Sequence, residues 1–167
     1  MNWIVFVLLA LVAGAAQLLL APWLSVGRAA PDFALILVAA VALRTGANTA
    51  FVSGWLLGLM RDLSGGSGPG PFALMFLLAA GIVSILRGAL FPSRALGMGL
   101  GAFVAALAVH FPYGMVLAVR YGTGAWSAAG HAFAIAVLTG VGGALLARPF
   151  AKIRGIAGWA PERELLA

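Results

Sequence analysis

Few side chains here can do chemistry: the chain has no cysteine, two histidines (His110 and His131) and four acids (Asp32, Asp62, Glu162 and Glu164). A histidine beside a hydroxyl, such as His110 with Ser53, is a minimal set for nucleophilic hydrolysis. No nucleophile turn surrounds Ser53, so this pairing is the minor reading. A metal site has little support, because neither histidine has carboxylate or thiolate company. The glycine-rich segment 63–70 resembles a phosphate cradle but lacks the Gly-Lys-Ser/Thr ending of one. His110, just before Pro112 in an apolar run, reads as a polar residue packed between helices, with a proton relay as the alternative. No enzymatic activity, metal or cofactor is expected.

Three other charged residues stand at the ends of apolar runs. Asp32 opens the run 33–43, Arg61 and Asp62 close the next, and between them only Arg44 carries charge. Charge costs little at a membrane boundary, so one reading is that these residues mark span ends. The other is an outward-facing polar cluster in which Asp32 pairs with Arg61 while Asp62 orders the glycine loop or meets a partner.

The elements that carry these residues follow from composition. Of 167 residues, 63% are hydrophobic and 8% charged, and the mean hydropathy is +1.10. A soluble domain could not cover its surface with so few polar groups. The apolar runs are too long and uniform for alternating barrel strands, so the chain reads as an all-α membrane protein in a single domain, 1–167. Spans are expected at 2–21, 32–43, 49–60, 71–86, 95–119 and 128–147. A cleaved leader is the minor reading for the first, since Ala13-Gly14-Ala15 resembles a cleavage site but no Lys or Arg precedes the apolar run.

The span count turns on Arg44. Eleven apolar residues, 33–43, make about 17 Å of helix, short of a hydrocarbon core of about 30 Å. Either Thr45-Gly46-Ala47-Asn48 is a turn between two short helices, giving six spans, or one tilted helix runs through Arg44, giving five. Burying Arg at a helix centre costs about 2.5–3.5 kcal/mol, and hydrophobic mismatch costs fractions of a kcal/mol per Å. These penalties are similar, and the turn formers favour six.

Six spans place Arg44, Arg87, Arg94, Arg148, Lys152, Arg154 and Arg163 inside and Arg28, Arg61 and Arg120 outside, seven against three. Five spans give seven against two. Both obey the positive-inside rule, leave the C-terminus cytoplasmic and put Arg61-Asp62 outside. The net charge of +6 thus points to lipid and not nucleic acid. The segment 148–167, with Arg148, Lys152 and Arg154 among Phe150, Ile153, Ile156 and Trp159, reads as a basic interfacial cytoplasmic tail.

Small residues recur where helices can touch. Gly54 and Gly58 form a GxxxG pair, Gly97, Gly99 and Gly101 a glycine face, and Ala136, Gly140 and Ala144 a third such row. Close backbone approach drives helix association in lipid, so these are candidate helix-packing positions. The sharper reading makes Gly97 to Gly101 a docking face for a partner's transmembrane helix.

Pro31-Asp32 before a short apolar run, then Ala42-Leu43-Arg44-Thr45-Gly46, Gly54-Trp55-Leu56-Leu57-Gly58-Leu59-Met60-Arg61-Asp62 and a glycine-rich loop, resembles the rod shape-determining protein MreD family. The resemblance is specific over 31–74 and includes a G-L-x-x-D closing motif. It departs at Arg61, where an apolar residue is expected. It implies a non-enzymatic inner-membrane scaffold of the bacterial cell-elongation complex, binding MreC and through it MreB, RodA and PBP2, and supporting peptidoglycan synthesis and rod shape. The family is also similar in fold to the substrate-binding subunits of energy-coupling-factor vitamin transporters, which supplies the alternative function. Such a subunit would line an outward pocket with polar and aromatic groups. The outer loops here offer few beyond Tyr121, Trp126 and the Asp32, Arg61, Asp62 cluster.

Overall fold

A computed structural model describes residues 2–65, 70–89, 95–122 and 124–152. It is all-helical, with α1 (Trp3–Leu19), α2 (Phe33–Arg44), α3 (Ala47–Gly65), α4 (Pro71–Leu86), α5 (Ala95–Tyr121) and α6 (Ala125–Lys152). α5 and α6 are long and apolar enough to cross a membrane, while α1, α2 and α4 are shorter apolar helices. Ile4, Val7, Leu8, Leu11 and Val12 of α1 are all exposed. An apolar outer surface of this kind suits lipid. The chain is an all-helical membrane protein.

The short α2 is the hub. Residues 35–43 are all buried, which fits a helix apolar on every side. It packs against each of the other five helices. Its ends are chemically defined. At the start, the Asp32 carboxylate accepts a hydrogen bond from the Leu35 amide, and at the end Thr45 is extended and donates both its backbone N–H and its hydroxyl to the Val41 carbonyl. The chain thus breaks at Thr45-Gly46, and a continuous helix through Arg44 does not form.

α2 and α5 run antiparallel and in step. Leu43 lies against Gly101 and Arg44 reaches Met98 at one end, and Asp32 meets His110 at the other. Twelve residues separate the contact points on both helices, about 18 Å of rise. α5 then continues eleven residues beyond His110, about 16 Å more. Asp32 therefore begins its own helix at mid-height of the two long ones.

Glycines set the closest approaches. Gly54 and Gly58 bring α3 onto the backbone of α4, where a Cβ at Gly54 would stand 2.7 Å from the Phe76 carbonyl oxygen and one at Gly58 would collide with the Phe72 carbonyl. Gly99 faces Gly140 and Ala144, and Gly143 faces Ala102, which interlocks α5 with α6. Gly97, Gly99 and Gly101 are buried. Their face is taken up inside the bundle by α6 and by Leu43, so it offers no surface to a partner helix. α6 also departs from expectation by continuing through Pro149 to Lys152. Arg148 and Lys152 thus belong to the helix, whereas Ile153, Arg154, Ile156, Trp159, Glu162, Arg163 and Glu164 lie outside the described residues, as does Arg94.

Candidate functional site

The site is built around Asp32, at the start of α2. One carboxylate oxygen, Oδ1, accepts from the Leu35 amide at 3.2 Å. The other, Oδ2, receives Nη1 of Arg61 from α3 and lies 3.1 Å from Nε2 of His110 on α5. The backbone N–H of Asp32 donates to Oγ1 of Thr139 on α6 at 3.0 Å. Gln17 of α1 clamps the neighbouring peptides, its Oε1 accepting from Phe33 N at 2.9 Å and its Nε2 donating to the Pro31 carbonyl at 3.2 Å. Five helices thus converge on one helix start.

Asp32 is only 2% exposed. Burying a carboxylate is costly unless charge and hydrogen bonds accompany it, and here an arginine, a histidine and the N-terminal dipole of α2 all do so. Asp32 is therefore no boundary marker at an interface. Arg61 has a second environment, its guanidinium carbon standing 4.8 Å from the Phe72 ring centroid and 5.9 Å from that of Phe76. These aromatic faces hold the cation beside the carboxylate, so a residue out of place in a hydrophobic motif is accommodated by α4.

Asp62 does something different from Asp32. It is 1% exposed, and its carboxylate accepts from the backbone N–H groups of Gly70, Phe72 and Ala73 at 2.9, 3.1 and 3.0 Å. These are the first amides of α4, and Gly70, the cap residue itself, has no side chain to satisfy them. A carboxylate supplied from α3 takes the place of the missing capping side chain. Asp62 consequently fixes where the loop after α3 re-enters the bundle.

Asp32 and Arg61 are brought together, and Asp62 is turned away to α4. Ser53 and His110 are not brought together, since the Ser53 hydroxyl donates to the Ala50 carbonyl at 3.0 Å and His110 faces Asp32. His131 is exposed on α6. Among the described residues no three His, Asp or Glu side chains gather as a metal site would require. Sequence reasoning missed three members of the cluster, Gln17, Thr139 and His110's link to Asp32. The signal was present, for each is a lone polar residue inside an apolar run, where such residues seek one another.

Comparison with known proteins decides the family. The sequence matches the family described as rod shape-determining protein MreD over residues 1–141. The chain belongs to the MreD family. Membership assigns it a role in rod shape determination, and the match covers all five helices that meet at α2 except the last part of α6. No curated protein and no solved structure matches the chain.

Proposed function

We propose that this MreD-family chain is a non-enzymatic scaffold of the cell-elongation complex in the bacterial inner membrane. It binds MreC, reaches MreB, RodA and PBP2 through it, and so supports peptidoglycan synthesis. The observation that carries the proposal is the family match over 1–141. The geometry is in keeping with it, because the polar groups of the cluster are engaged in holding helices together. The seven-to-three distribution of Lys and Arg favours cytoplasmic N- and C-termini.

With the glycine faces consumed internally, a partner helix must use an outer surface. A groove between α4, α5 and α6 is lined by Ile82, Leu107, Phe111, Trp126, Gly130 and Phe133, with aromatic anchors of the kind that dominate interfaces. A photo-crosslinking amino acid at Phe133, in cells making MreC, is expected to capture MreC. Capture from Val12, on the outer face of α1, with none from Phe133 would remove this groove from the proposal.

A further inference from the structure

A cavity opens on the flank of the protein between α1 and α3. α1 rests mainly on α2 and makes no comparable contact with α3, which leaves a slot between two parallel helices. Its lining is sorted along its length. Ala10, Gly14 and Leu57 form the lower part, and Gln17, Arg61 and Ser64 stand at the upper end beside Leu18 and Met60. Seven residues separate Ala10 from Gln17 and Leu57 from Ser64, about 10 Å of rise on both helices. The slot is therefore a largely apolar trough whose polar side chains are gathered at one end.

At that end the Arg61 side chain is 31% exposed. It gives one N–H to Asp32, and a guanidinium has five. The Asp32 carboxylate also has His110 and the Leu35 amide, so Arg61 is not the sole group that balances it. The remaining N–H groups suit an anionic oxygen, and a guanidinium fits phosphate oxygens well.

The depth of the slot is matched by the lengths of the helices beside it. α1 has 17 residues and α3 has 19, against 27 and 28 for α5 and α6. These lengths are about 25–29 Å against about 40 Å. A bilayer thins beside short spans, which lowers phosphates on the α1–α3 flank towards Arg61. We infer that the α1–α3 slot is a phospholipid site, with one acyl chain lying along Gly14 and Leu57 and the phosphodiester on the Arg61 guanidinium.

Gly14 supplies the test, because a Cβ there meets nothing within 4 Å, so Gly14→Leu fills the trough without disturbing a packed contact. Native mass spectrometry of the delipidated full chain in detergent would be titrated with dioleoylphosphatidylglycerol and with dioleoylglycerol, which has the same chains and no phosphate. The expected result is retention of the phospholipid, with binding weaker by about tenfold for dioleoylglycerol, for Gly14→Leu and for Arg61→Gln. Equal binding of both lipids would overturn the role of Arg61. Unchanged phospholipid binding by Gly14→Leu would overturn the slot, whether or not Arg61→Gln folds. A Gly14→Leu chain that keeps its lipid but loses MreC would show the slot to be a protein contact instead.

Discussion

At the scale of single residues, two buried aspartates that stand thirty positions apart hold different joints. Asp62 supplies three acceptor contacts to the amides that begin α4. Asp62→Ala leaves those amides without their acceptor and should cost about 2–4 kcal/mol, the sum expected of a lost cap and lost charge-assisted hydrogen bonds. Thermal unfolding in detergent measures this, and an unchanged midpoint would show that water replaces the carboxylate. The Asp32–Arg61 pair calls for a double-mutant cycle. Asp32→Asn takes the carboxylate charge from Arg61, and Arg61→Gln leaves Asp32 to His110 and the Leu35 amide; each is expected to destabilise, whereas the double variant should be less unstable than the sum by about 1–3 kcal/mol. Additive effects would mean that the two side chains are stabilised separately, Arg61 by the rings of Phe72 and Phe76.

At the scale of elements, stability rests on how closely backbones approach. Gly58→Ala puts a methyl group into the α4 backbone, with the Ala73 Cα 2.6 Å away, and should destabilise by about 1–3 kcal/mol. Gly14→Ala meets open space and should be neutral or stabilising by up to about 1 kcal/mol, since alanine is the better helix former. Equal effects at the two positions would contradict the packing of α3 on α4. Much of this architecture was legible in the sequence. Pro71 and Leu86 bound α4 as hydropathy indicates, and Thr45-Gly46 breaks the chain as turn formers do. Glycine spacing marked packing positions, but it does not say whether the facing surface is internal, and only the approach of α6 and Leu43 assigns Gly97 to Gly101 to the interior. The helix ends were less legible. α6 runs past Pro149 because a proline near a helix end removes a single hydrogen bond, and hydropathy falls at Arg148 before the helix stops. The cluster was legible only in its charged members. Charge stands out in an apolar sequence, whereas Gln17 and Thr139 acquire meaning from a contact across the bundle.

At the scale of the whole molecule, four shorter helices stand beside two long ones among the described residues. The mid-height position of Asp32 on α5 and α6 follows from α2 being twelve residues long. The polar groups there bind one another, with part of the Arg61 guanidinium left exposed, and the bundle is held at one point by α1, α2, α3, α5 and α6 together. The seven-to-three distribution of Lys and Arg predicts a cytoplasmic N-terminus. A reporter fused before Met1 should be active on the cytoplasmic side, and an external signal would rule out six spans. The proposed role makes this chain an MreC-binding scaffold of the elongation complex, against the alternative of a ligand-capturing transporter subunit. Co-purification tests it most directly. The tagged chain, solubilised in mild detergent from cells that also make MreC and a vitamin transporter's coupling subunit, is predicted to retain MreC in stoichiometric amount and to leave the coupling subunit behind. Recovery of the coupling subunit without MreC would contradict the scaffold role.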